Sequence, residues 1–368
     1  MKKVIASIAL VTLVLAGTTQ VAFAAAEESL NIEKAAIKAV ENSQPLKTVN
    51  QQAEVIQKNY VSLKGQMNQT KYLLPYSNSY SLVKSIILAP LQLKSALEQV
   101  NNTQVVVTNA IRMGAYSGYI DLLKADYALN TQSELMNSLY EDYKKARLQK
   151  EQGMLTDAQL RLAEIAYEQT RYNYLNAQNS RESAGMALNN MMKEDIAKQY
   201  DILQDNNIKP PAQIRSLNEY VQQARMNRAE VLNAQSTLEI LEEQYRLGIA
   251  EIPTDYEFYK QQQEYEIAKA GDDLELARIN VQQNVTDLYA GLTSSMKKME
   301  AMSYLADQAQ QSFQAAQIRY DNSEITFIEL NKAKVAKAQA DINLKNAELD
   351  AWLMQATMDS ACGAGFQP

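Results

Sequence analysis

Apolar residues recur at helical spacing along almost the whole chain. Leu30, Ile32, Ala35, Ala36 and Ala39 begin the pattern, and Val49, Ala53, Ile56 and Tyr60 resume it after Pro45. Intervals of three and four residues gather such positions on one stripe of an α-helix, here predicted to end near Gly65. Residues 66–90 break the period with Tyr72, Leu73, Leu74, Pro75, Tyr76, Asn78 and Tyr80, then the run Ile86, Ile87, Leu88, Ala89 and Pro90. From Leu91 to Gln152 no Pro intervenes, and Gly occurs only at 114 and 118. That stretch predicts a rod of roughly 90 Å at about 1.5 Å per residue. A lone rod cannot bury its stripe, so it needs partner helices along its length.

Gln152-Gly153-Met154-Leu155-Thr156-Asp157 punctuates the rod. Gly153 suits a helix end, and Thr156 or Asp157 suits the cap of the next helix. That helix is predicted to run to about Met192, with Leu160, Ala163, Ala166, Ala177, Ala184, Ala187 and Leu188 on its apolar side. Small residues there permit the close approach of a tight hairpin. Asp205-Asn206-Asn207 and Pro210-Pro211 then mark a linker over 201–215.

Beyond the linker the pattern restarts. Ala224 to Val231 echoes Ala39 to Leu46, a break at Gly248 to Pro253 answers the one at 66–90, and a second rod is predicted from about Asp255 to Asn322. Arg319 to Thr326 matches Gln149 to Thr156, and a last helix follows from 326 to about 358, carrying Leu330, Ala333, Ala336, Ala340, Leu344, Ala347, Ala351 and Met354. The order helix, break, very long helix, tight turn, return helix therefore occurs twice, which is an internal duplication. The division expected is 1–24 leader, 25–200 first helical repeat, 201–215 linker, 216–360 second helical repeat and 361–368 tail.

Composition narrows the chemistry. The 368 residues include no His and one Cys, Cys362, so imidazole proton transfer, imidazole metal ligation, a disulfide framework and a thiolate zinc site are excluded. Neither a cofactor nor a metal is expected, and the many acids and lysines sit at solvated helical spacings with no acid/base set on a pocket-forming turn, so an enzyme is not expected. A net charge of −7 lacks the basic face a nucleic-acid partner requires. Lys2 and Lys3, the apolar run Val4 to Ala16 and the ending Ala22-Phe23-Ala24 read as a secretory leader cleaved after Ala24. The alternative, an uncleaved anchor, has an apolar run short for a span of about 20 residues. Thr18 stands where a lipid-modified precursor would need Cys. The protein is thus expected to be exported.

With these features in place the sequence resembles the TolC-like outer membrane efflux protein family over about 30–360. The repeat starts Leu30-x-Ile32-Glu33-x-Ala35 with Asn42-Ser43-x-Pro45, and Ala224 through Asn227-Arg228-x-Glu230, carry the resemblance, as do Pro90-Leu91 and Ala96-Leu97-Glu98-Gln99. The turns are the most specific: Gly153-x-x-Thr156 and Tyr320-x-x-Ser323-x-x-Thr326-x-x-Glu329-Leu330. The resemblance implies an all-α protomer of long antiparallel hairpins in two repeats, assembled as a homotrimer around a hollow cylinder. It also implies a partnership with an adaptor (membrane fusion) protein and an inner-membrane pump, in an efflux or type I secretion system. By that analogy Gly153, Met154, Leu155, Thr156 and Asp157 with Tyr320, Ser323, Glu324, Ile325 and Thr326 form docking tips, and Glu329 falls at an acidic ring narrowing the tunnel, where Lys332 departs from a second acidic position. Plain hairpin turns and a solvated surface carboxylate are the alternatives for these two sites.

One departure stands out. The family inserts two β-strands per repeat, yet between Leu74-Pro75 and Pro90-Leu91 there is room for one poor strand at most, and Gly248 to Pro253 passes almost directly from helix to helix. Spanning strands need about 9 to 11 residues, so a closed barrel is not expected. What remains at that end is aromatic: Tyr72, Tyr76 and Tyr80 from one repeat, and Tyr245, Tyr256, Phe258 and Tyr259 from the other. Such rings favour membrane interfaces, or else pack the corners where helices reverse. Two functions follow as expectations: an exit-duct component in the cell envelope, or a non-transport helical scaffold of the envelope. The envelope site would be the outer membrane or periplasm of a two-membrane cell, and otherwise the cell surface.

Overall fold

A computed structural model describes residues 29–70, 72, 82, 84–205, 208–249 and 256–363. Strand β1 (Ser29–Asn31) leads into α1 (Ile32–Glu41) and α2 (Gln44–Thr70); a π-turn at Lys84–Leu88 opens α3 (Ala89–Glu151), which α4 (Asp157–Met192) answers. Strand β2 (Ile202–Gln204) precedes α5 (Leu217–Asn227), α6 (Ala229–Ile249), α7 (Tyr256–Asp321) and α8 (Phe327–Cys362). The all-α class holds, with α3 and α7 each close to 100 Å long by the helical rise.

Helix packing makes a single layer rather than a ball. Near the hairpin turns the lateral order is α4, α3, α8, α7; at the far end it is α2, α3, α6, α7, so the two long helices run through both halves. At the waist α1 lies on α3 and α4, while α5 lies on α7 and α8. Two buried clusters sit there. One surrounds Tyr119 with Leu30, Ala35, Ala36, Leu188, Met192 and Leu349; the other gathers Tyr220, Val221, Val285, Leu292 and Met358. A small third cluster of Leu135, Leu139 and Ala338 joins the hairpins nearer their tips.

The duplication is visible bond by bond. Asn31 caps α1 through Lys34 N, and Ser216 caps α5 through Glu219 N. At the break after α1, Asn42 Nδ2 donates to Met192 O at the end of α4. At the break after α5, the buried Arg228 donates to Ala361 O at the end of α8. Each repeat thus ties its first bend to its last helix.

The sequence reading needs adjusting at three places. Helix α2 continues past Gly65 to Thr70, because a helix carries one Gly at a cost of only about 1 kcal/mol. The 201–215 linker contains β2, which pairs in parallel with β1, Ser29 opposite Ile202. The Tyr119 hydroxyl lies 2.8 Å from Leu30 O and 2.9 Å from Gln204 O, within reach of both strands, and burial pushes its proton affinity well up. Residues 361 and 362 belong to α8, and Cys362 is buried in the second cluster. The leader at 1–24 lies outside the described residues.

Candidate functional site

The two hairpin turns have the same construction. At the end of α3, Gly153 N donates to Lys150 O and Met154 N to Gln149 O, the paired bonds of a left-handed helix stop. At the end of α7, Ser323 N donates to Tyr320 O and Glu324 N to Arg319 O. Gly153 takes φ +75° and Ser323 φ +63°. Each following helix is then closed by a reciprocal capping box: Thr156 with Gln159, and Thr326 with Glu329. Met154 projects into solvent and Leu155 and Ile325 are half-buried, while Asp157 is held ionised by its hydrogen bond to Lys150.

Between these turns lies a groove of about 410 Å3, with Leu155, Tyr320, Phe327 and Ile328 as its apolar surface. The Tyr320 and Phe327 rings meet at 6.2 Å. Just above it Lys334, from α8, donates to Asp142 and to Ser138 Oγ of α3; both members of this ion pair are largely buried. Further along, Asp350 of α8 accepts from Lys124 of α3 and Lys298 of α7. Burial alone would raise its carboxyl, but the two lysines hold it below the usual range. These ion pairs add to the apolar contacts of Leu135 and Leu139 with Ala338 in joining the hairpins to each other.

Glu329 has a local role. Its Oε2 accepts from Thr326 N at 2.8 Å and from Thr326 Oγ1 at 2.9 Å, and those bonds, with Arg319 and Lys332 nearby, hold the carboxyl below its ordinary value.

The open edges of the layer were not singled out from the sequence. On α4, Leu162, Ile165, Tyr172 and Leu175 face solvent; on α7, Leu276, Ile279, Tyr304, Leu305 and Ile318 do. Ile165 is 62% exposed and Tyr304 65%. Exposed large side chains occur on other helices too, such as Val55, Val61 and Leu148, but on α4 four of them recur at helical spacing between 162 and 175. The available signal was the doubled spacing, Leu162 and Ile165 beside Ala163 and Ala166. A helix with a second apolar stripe has a second neighbour to cover it.

At the far end the aromatic residues separate into two groups. Tyr259 packs over Gly248, and Tyr245 Oη donates to Glu264. Tyr256 is half-buried, whereas Tyr72 and Phe258 are exposed. Tyr76 and Tyr80 lie outside the described residues. Among the described residues no His, Cys, Asp and Glu group could hold a metal ion, and no helix is long and apolar enough to cross a membrane. Strands other than β1 and β2 are absent there, and only residues 71–83 and 250–255 separate the helices at this end.

No protein-family profile matches the sequence, and no curated protein matches it. Solved structures do match. The channel protein CusC, whose structures concern folding and transmembrane channel formation, is 13% identical with a TM-score of 0.68, over 91% of this chain and 92% of that one. The Neisseria gonorrhoeae outer membrane channel MtrE in its open state is 14% identical, TM-score 0.62, over 92% and 91%. The Vibrio cholerae outer membrane protein VceC is 12% identical, TM-score 0.62, over 91% and 97%. Across nearly its whole length the chain has the fold of TolC-like outer membrane efflux channels.

Proposed function

We propose that the chain is one protomer of a homotrimeric exit duct in the cell envelope, docked through its hairpin tips to an adaptor (membrane fusion) protein and through it to an inner-membrane pump. It acts by geometry, not catalysis. The observation that carries this reading is the open layer with exposed apolar side chains on each edge helix, α4 and α7. Copies joined edge to edge cover these side chains, and a head-to-tail contact of this kind closes into a ring when its rotation divides the circle. The tip groove then opens on the rim of that ring, where a helical partner reaches it. Three Glu329 carboxylates around the axis would form a negative ring, offset by Lys332.

Light scattering on the exported chain tests this: a trimer mass is expected, and a stable monomer overturns the duct. Cysteine at Met154 or Glu324 should crosslink to the adaptor.

A scaffold remains the second reading, favoured by the short separations 71–83 and 250–255, too short for paired spanning strands of about 9 to 11 residues. Trimers without any adaptor crosslink would select it. Exposed Tyr72 and Phe258 would give either form a shallow membrane contact; liposome flotation checks this, and unbound protein removes it.

A further inference from the structure

A cleft of about 320 Å3 opens beside α4, between that helix and residues 196–200. Tyr174, Gln178, Glu182 and Met186 line it along successive turns of α4. Its basic groups are already engaged: Arg181 donates to Asp126 and to Tyr200 O, and Lys198 pairs with Glu194. Glu182 is different. It is exposed and has no ion-pair partner among the described residues, so the charge the cleft still offers is negative.

The opposite edge of the layer carries the complement. On α7, Lys298 donates to Asp350 of α8, but its neighbour Lys297 is exposed and has no ion-pair partner among the described residues. Lys297 lies two turns from the exposed Tyr304 on one face of α7, as Glu182 lies two turns from the exposed Leu175 on α4. Their heights agree as well. Both hairpin turns line one groove, so the two tips share a level. By the helical rise Glu182 lies about 38 Å above the start of α4, and Lys297 about 36 Å above the end of α7. Rotation about a ring axis leaves heights unchanged, so in a closed ring the two stand level across the seam. Within one protomer α3 and α8 separate them.

We propose that the cleft on α4 is a socket for Lys297 of a second copy, with the lysine stem lying along Gln178 and Met186 and its ammonium meeting Glu182. A lysine suits such a seat because its methylenes pack on apolar surface while the charged end reaches an acid. The inference rests on the ring proposed above and adds the contact that fixes its register. Exposed apolar side chains tolerate sliding of one edge past the other. A single charge at a cleft does not, since a shift by one helical turn, about 5.4 Å, parts the pair.

Zero-length carbodiimide coupling of the exported chain tests this, because it joins only a carboxylate and an amine that already touch. Peptide mass mapping should find Glu182 linked to Lys297, and Glu182→Gln should remove that link. Exchanging the charges gives a second measurement. Glu182→Lys should weaken the trimer about ten-fold or more, read by light scattering over a dilution series, and adding Lys297→Glu should restore most of the loss. Trimers that lack either the link or the rescue overturn the socket and leave the duct standing; a chain that stays monomeric overturns both.

Discussion

Thr326 and Glu329 cap the first turn of α8 for each other: the Thr326 hydroxyl accepts from Glu329 N at 3.3 Å while the Glu329 carboxylate takes the Thr326 amide at 2.8 Å. Thr156 and Gln159 make the same exchange at the start of α4 with a neutral partner. The comparison separates cap from charge. Glu329→Gln should keep the cap but lose its charge, so a small loss of stability is expected at neutral pH, whereas Thr326→Ala should cost about 1 kcal/mol, both read by denaturant unfolding.

The same cap sets a pH dependence. Because Glu329 is held below its ordinary value in the folded chain, its contribution is full above the unfolded carboxylate value and is lost as pH falls through the depressed folded value. Comparing unfolding of the parent and Glu329→Gln between pH 7 and pH 3 should show the difference shrinking on the acid side. A constant difference would show that the cap does not sense the charge.

Gly153 and Ser323 occupy the same left-handed position, but only one of them suits it. A side chain there costs about 1 kcal/mol. Ser323→Gly should therefore raise stability by up to that amount and Gly153→Ala should lower it by a similar amount, both measured as melting shifts.

At the opposite end, a Cβ on Gly248 would fall 1.8 Å from Tyr259 Oη. Gly248→Ala should displace that ring and lower stability by about 1 to 3 kcal/mol. Combined with Tyr259→Ala, its further cost should largely vanish, a non-additivity that a double-mutant cycle measures.

The long helices, their order and both turns were legible because each rests on local signals: spacing of apolar residues, Gly153, and a Thr three positions before Gln or Glu. The β1–β2 pairing was not, since three-residue strands far apart in sequence leave no period, and their pairing is decided by packing around Tyr119. The Lys334–Asp142 pair escaped for a related reason. On a helix surface a Lys and an Asp look solvated until the neighbouring helix covers them. Glu329 was legible as an acid at a tip, yet its bonds to Thr326 follow from the capping box, a short-range pattern that the wider ring analogy overshadowed.

Edge assembly yields the most decisive variants. Tyr172 on α4 lies about 22 Å from its tip and Leu305 on α7 about 24 Å from its own, so the two occupy one height on opposite edges. They are 60% and 50% exposed in the protomer, so Tyr172→Glu or Leu305→Glu should leave helix content and protomer folding intact. In a ring each would bury a charge against an apolar neighbour, and light scattering should report monomers. Val105→Glu on the inner helix α3, exposed at 45% and not on an edge helix, should assemble like the parent. Tyr172→Lys combined with Leu305→Glu should recover part of the assembly through opposite charges across the seam. Should both edge variants still form trimers, α4 and α7 do not meet in the assembly, and the exposed side chains serve another partner.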